Sequence, residues 1–189
     1  NRQETLMSKP QNIAIVGAGI GGLAAAALLH RDGHRITVLD QFAAPAPVGS
    51  GLVIQPVGQA VLDEIGALET ALHYGNPIKR MLGHETGRHR RVLDVTYDPT
   101  GGDRFGLAIH RAALFKSLYD VVLKTDAEII TNAEVASAQE GLITLKDGST
   151  TGPFDLVIDA SGAGSPLSPI KSRALPYGAI WGVVDLPDD

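Results

Sequence analysis

The run Asn12-Ile13-Ala14-Ile15-Val16-Gly17-Ala18-Gly19-Ile20-Gly21-Gly22-Leu23 constrains this chain more than any other stretch. Ile13 to Val16 is unbroken apolar sequence, which suits a strand buried on both faces at the centre of a parallel sheet. It stops at glycine: Gly17, Gly19 and Gly22 stand at Gly-x-Gly-x-x-Gly spacing, and strong helix formers follow from Leu23 to Leu29. Gly17 lets the chain turn sharply off the strand, Gly19 lets a pyrophosphate approach the main chain, and Gly22 lets helix and strand pack closely. The N–H groups of the helix start, around Ala18 and Ile20, then face the anion. The helix dipole contributes only about 0.3–1 kcal/mol, so main-chain donors and close fit must supply the rest.

A second apolar strand, Arg35-Ile36-Thr37-Val38-Leu39, ends in Asp40, roughly 20 residues past the last glycine of the motif. A carboxylate there accepts hydrogen bonds from the hydroxyls of an adenosine ribose, so Asp40 reads as the ribose ligand. Asp32-Gly33-His34 supplies the helix stop and turn between the strands, completing one βαβ unit.

Composition narrows the class further. The chain has 189 residues, 44% hydrophobic and 20% charged, enough for a full core in an α/β fold of one or two domains. A net charge of −5 leaves no excess of cations for a nucleic-acid surface. The sequence contains no cysteine, which removes thiolate metal sites and cysteine nucleophiles and permits a reducing cytoplasm. The apolar stretch from Ile13 to Leu29 is cut by glycines and too short to span a bilayer, so no membrane role is expected. Residues 1–6 precede Met7 and read as a tag before a natural start, with 1–11 as a disordered N-terminus.

Beyond Asp40 the βαβ rhythm breaks. Phe42 to Gly58 is rich in Pro, Gly and Ala, with Gly49-Ser50-Gly51 running into a short extended piece, Leu52 to Gln55. A helix fits Val57 to Ile65, with Val57, Val61, Leu62 and Ile65 on one face and Gly66 as its stop, and another fits Leu68 to His73. Lys79–Glu85 and Arg90–Tyr97 read as an antiparallel hairpin about Thr86-Gly87-Arg88-His89. Ile109-His110-Arg111 opens a helix through Leu123. Strands follow at 128–131, 134–138 and 141–145, and Asp155 to Ala160 is one more buried strand, ending at Ser161-Gly162-Ala163-Gly164-Ser165. Tyr177 and Trp181 lie on a last extended piece and point the same way on a regular strand, into a pocket or into ordinary core.

In this order the pieces resemble the FAD-dependent aromatic-hydroxylase family, the single-component flavoprotein monooxygenases. Gly17-Ala18-Gly19-Ile20-Gly21-Gly22 with Asp40 is similar to the family's FAD-binding start, and Gly49-Ser50-Gly51-Leu52 through Gly66 to its flavin-side loop and helix. Ile109-His110-Arg111 resembles the helix opening whose arginine reaches the cofactor, and Asp155 to Ser165 the Asp-Gly fingerprint that touches flavin and reduced nicotinamide cofactor. In that fingerprint Ser161 stands at the aspartate position, and Asp159 where a glycine precedes it.

The resemblance implies a Rossmann-like FAD-binding domain with a parallel central sheet and a β-meander, into which an antiparallel-sheet substrate domain is inserted. The implied division is 12–76 and 101–172 for FAD, 77–100 for a substrate-domain hairpin, and 173–189 for the start of its sheet. Implied cofactor-binding residues are Gly17, Ala18, Gly19, Ile20, Gly22, Asp40, Gly49, Gly51, Arg111, Ser161 and Gly162, with Tyr177 and Trp181 toward substrate. The implied activity is hydroxylation of a small, aromatic substrate with NADH or NADPH and O2, through a flavin C4a-hydroperoxide. The cofactor carries the hard step, so no catalytic residue is assigned here. The family's second flavin motif lies in a C-terminal half expected in cis or as another chain, so these 189 residues alone are expected not to hydroxylate anything. An FAD-binding module without turnover, and a halogenase or reductase built on the same start, are the alternatives.

Two other motifs lead elsewhere. His84-Glu85-Thr86-Gly87-Arg88-His89 is one residue longer than a zinc-protease His-Glu-x-x-His and sits on the hairpin, so no metal is expected. Ser161 lacks the flanking glycines of a nucleophile elbow, because Asp159 and Ala163 occupy their places.

Overall fold

A computed structural model describes residues 9–44, 50–170, 173, 175, 176 and 178. The Gly49, Tyr177 and Trp181 assignments lie outside the described residues. The chain opens with β1 (Asn12–Val16), α1 (Ile20–Arg31) and β2 (Arg35–Leu39), the expected βαβ unit, with β1 and β2 parallel and in register from Asn12 opposite Arg35. β3 (Gly51–Ile54), α2 (Pro56–Ile65) and α3 (Leu68–Tyr74) come next. Pro56 occupies the first turn of α2, where its missing N–H costs nothing, and Gly66 ends it in the left-handed conformation. Of the four residues expected on the inner face of α2, Leu62 is buried and Ile65 partly so, while Val57 and Val61 are exposed.

β4 (Asn76–Ile78), β5 (Arg80–His84), β6 (Arg91–Thr96) and β7 (Gly106–His110) follow, then α4 (Arg111–Val122). β5 and β6 form the expected hairpin, bridged by Arg80 of β5 on Asp94 of β6, to which Arg91 of the same strand also donates. Hydrogen bonds from Arg80 and Arg91 hold the Asp94 carboxyl far below the usual carboxylate range. The strand β7 was not anticipated: Ile109 and His110 end it, and the helix begins at Arg111. β7 is central to an antiparallel sheet of order β3-β7-β4, so β4 carries this sheet to Ile78, past the 76/77 division.

The last strands are β8 (Glu128–Ile130), β9 (Val135–Gln139), β10 (Leu142–Leu145), β11 (Thr150–Thr151) and β12 (Leu156–Asp159). β9, β10 and β11 make the meander, whereas β8 joins the parallel sheet, whose order is β12-β1-β2-β8. Alternation along β1 explains the layers. Ile13 and Ile15 face a core shared with Leu23, Leu114 and Leu118 of α1 and α4, and Ala14 and Val16 face a second core with Ile143 and Phe154 on the meander side. The central strand is therefore covered on both faces, as its unbroken apolar run requires.

Candidate nucleotide site at the carboxyl ends of the parallel strands

A cavity of about 600 Å³ opens beyond the carboxyl ends of β1, β2 and β12, where Val16, Leu39 and Ala160 form its floor. In open α/β sheets this edge is where ligands bind, because the loops leaving parallel strands diverge there. Gly17, Ala18, Gly19 and Ile20 line one side, Asp40 the next, and Arg111, Ser161 and Gly162 complete the wall.

The three motif glycines are there for different reasons. Gly17 has φ +106°, and a Cβ on it would sit 2.6 Å from the Ala160 carbonyl oxygen. A Cβ on Gly22 would lie 1.9 Å from the Gly17 carbonyl oxygen and 3.3 Å from Ala160 Cβ, so Gly22 keeps α1 tight against the turn and lies behind the cavity wall. A Cβ on Gly19 meets nothing within 4 Å. Since Gly19 lines the cavity, what its bare α-carbon leaves free is ligand space.

α1 starts at this point with no acidic residue in its first turn and no side-chain cap from Gly19. Its first N–H groups therefore have no intrahelical acceptor and no acid in their own turn competing for them. α4 repeats the pattern with an added cation: Arg111 is its first residue, and its first turn also lacks an acid. A cation at a helix N-terminus is electrostatically unfavourable, a cost that a bound anion offsets. Among the described residues the Arg111 guanidinium enters no ion pair. Its main-chain N–H donates to the Ser50 carbonyl at 2.8 Å, which ties the glycine-rich loop to the start of α4. Gly51 opens β3 opposite His110 and is not among the cavity's lining residues.

Asp40 is 8% exposed and already engaged. Its Oδ2 accepts from the Ala18 N–H at 2.8 Å and its Oδ1 from the Phe42 N–H at 3.0 Å. Asp40 thus braces the glycine turn as well as facing the cavity, and each oxygen keeps lone-pair capacity for a ligand hydroxyl. Asp40→Ala is expected to strand the buried Ala18 donor and cost about 1–2 kcal/mol, read as a lower urea midpoint, while Asp40→Asn, which keeps one acceptor, loses less.

Some lining residues had no signal in the sequence. Phe42, Phe115, Ala133, Glu134, Val135 and Lys146 also face the cavity, the last paired with Glu134 at 2.5 Å. The segment from Ala133 to Val135 arrives because β8 pairs with β2, so the chain leaving β8 passes beside Asp40; the Ala133 N–H donates to the Asp40 carbonyl at 2.8 Å. Sheet order alone would have found it. Among the described residues no three His, Asp or Glu side chains gather as a metal site, and no helix is long and apolar enough to cross a membrane.

The family model described as an FAD binding domain matches residues 11–144. The 3-hydroxybenzoate 6-hydroxylase 1 of Aquipseudomonas alcaligenes is 34% identical over 66% of this chain and 32% of its own length. The FAD-dependent monooxygenase penM of Penicillium crustosum is 32% identical over 84% of this chain and 35% of its own. A solved structure of 2-methyl-3-hydroxypyridine-5-carboxylic acid oxygenase superposes with a TM-score of 0.74 at 23% identity, covering 85% of this chain and 42% of that one, and so shares the fold. The chain spans about a third of the length of these two curated relatives.

Proposed function

Because this chain belongs to the family of FAD-dependent aromatic hydroxylases, we propose that it is the FAD-binding part of a monooxygenase that hydroxylates a small aromatic substrate with NADH or NADPH and O2. The observation that carries this reading is the bare Gly19 α-carbon and uncapped α1 start, opposite Asp40 and Arg111 around one cavity. Those residues fit the group: unspent main-chain donors and a cation suit a diphosphate, and a carboxylate with free lone pairs suits a ribose.

In this reading the N–H groups of Gly19 and Ile20 face the pyrophosphate, Gly17 and Ala18, whose own N–H groups go to the Leu39 carbonyl and Asp40, shape the turn that lets it approach, and Gly22 keeps the helix start in place. Asp40 takes the adenosine ribose, and Arg111 reaches a phosphate or the ribityl chain. Gly49 and Gly51 let the main chain pass near the flavin ring, while Ser161 and Gly162 form the wall after β12. Bound FAD supplies the redox chemistry, accepting electrons from NAD(P)H and activating O2. The residues of this chain bind, orient and exclude water, and none is assigned a proton transfer. In this reading the FAD domain takes residues 12–76 and 101–172, extended to Ile78 because β4 pairs with β7. The rest of the 77–100 hairpin segment and the 173–189 segment, with Tyr177 and Trp181, go to the substrate domain, completed by sequence supplied in cis or by another chain. The setting is the cytoplasm, where NAD(P)H is regenerated.

The test is the protein at its full natural length. It is expected to purify yellow, with an oxidised-flavin absorbance spectrum, and to consume NAD(P)H faster when an aromatic acid such as 3-hydroxybenzoate is added. A colourless protein that refuses added FAD overturns the reading. A flavin spectrum with no aromatic-stimulated NAD(P)H consumption moves the chain to the binding module without turnover.

A further inference from the structure

The wall after β12 carries its acid two residues early, and its side chains compensate for the shift. Ser161 donates twice to the same oxygen, Asp159 Oδ1, from its N–H at 3.1 Å and from its hydroxyl at 2.5 Å. The other oxygen, Oδ2, accepts from the Ser165 hydroxyl at 2.6 Å. Ser165 Oγ in turn accepts from the Leu167 N–H at 3.0 Å and the Ser168 N–H at 3.3 Å, so one carboxylate organises the whole turn. Burial works against the charge on Asp159, but these hydrogen bonds from Ser161 and Ser165 prevail and hold its carboxyl below the ordinary value.

Ser161 lines the cavity and Asp159 does not. A hydroxyl has one proton to give, and Ser161 gives it to Asp159, so toward the cavity it has only lone pairs to offer. Donation to an ionised carboxylate also polarises the serine oxygen and makes it a better acceptor. An acceptor-only oxygen repels a phosphate and pairs with a hydroxyl. The diphosphate therefore belongs to the glycine turn, whereas the Ser161 wall suits a hydroxyl of the ligand.

We propose that Asp159 is a positioning residue acting through Ser161, and that the pair together replaces the single aspartate of the related fingerprint as acceptor for a hydroxyl on the flavin side of the dinucleotide. The inference rests on the FAD reading above. It is specific to this chain because the acid stands two residues earlier, in place of the fingerprint's glycine, and a serine takes the aspartate's position before Gly162.

The experiment compares binding of FAD, by quenching of flavin fluorescence, with binding of ADP, by calorimetry, in the full-length protein. ADP carries the diphosphate and ribose but lacks the flavin-side hydroxyls. Asp159→Ala and Ser161→Ala are each expected to weaken FAD about tenfold, the worth of one good hydrogen bond, and to leave ADP within about twofold. Asp159→Asn, which keeps an acceptor for Ser161, is expected to lose less. The exchange variant Asp159→Gly with Ser161→Asp is expected to recover FAD affinity to within about threefold of the wild type. Unchanged FAD affinity in Asp159→Ala overturns the proposal, and so does equal weakening of FAD and ADP, which marks general damage to the turn. Wild-type protein that takes no FAD at all overturns the underlying reading instead, so the two failures are distinct.

Discussion

Gly19→Val is expected to deprive the protein of its cofactor while leaving its fold alone. The added side chain enters open space, since a Cβ at Gly19 has no neighbour within 4 Å, and Gly19 has φ −74°, which valine adopts without strain. That space is the cavity beside the uncapped start of α1, where the closest approach of a diphosphate to main-chain N–H groups would occur. Displacing it forfeits at least one charge-assisted hydrogen bond, about 1.5–3 kcal/mol, so affinity is expected to fall by about tenfold to 150-fold or more. Titration with FAD gives the affinity, and thermal melting of the apo protein gives the control, expected within about 0.5 kcal/mol of the wild type. A variant that binds FAD normally would remove the glycine turn from the site.

Gly22→Ala is expected to do the opposite and damage the fold itself. Its methyl group would stand 1.9 Å from the Gly17 carbonyl oxygen, a separation that real atoms do not tolerate, and the acceptor is main chain with no rotamer to change. α1 must move away from β1, which opens the core that Leu23 and Ala26 share with Ile13 and Ile15. Overpacking of this kind costs about 1–3 kcal/mol or more. For a chain of this size each kcal/mol lowers the melting midpoint by about 2–4 °C. Loss of FAD binding is expected to accompany the loss of stability in this variant, whereas Gly19→Val separates the two. A melting midpoint equal to that of the wild type would show that the helix start has slack the close packing denies.

How far each part was legible depends on the range of the interactions that define it. The βαβ unit is local: the β1 run, the glycines and the helix formers of α1 adjoin one another, and each choice agrees with its neighbours. Gly66 and Pro56 bound α2 by main-chain chemistry that a sequence displays directly. β7 was hidden because Gly106 to His110 carries only three apolar side chains, Leu107 to Ile109, directly before a helix, and only pairing with β3 and β4 makes it a strand. β8 was visible as a strand, but its place beside β2 in the parallel sheet was not.

The sequence by itself determined that a tight glycine turn follows the first strand, because glycine's freedom at Gly17 and its small size at Gly22 are properties of single residues read in order. It also determined that an acid ends the second strand. Only the tertiary structure decided what surrounds that turn: Arg111, Ala133 to Val135 and Ser161, itself held by Asp159, reach one cavity from distant parts of the chain. Sheet order and side-chain hydrogen bonds bring them there. Such contacts depend on how strands that are far apart in sequence come to lie side by side, and no local propensity encodes that.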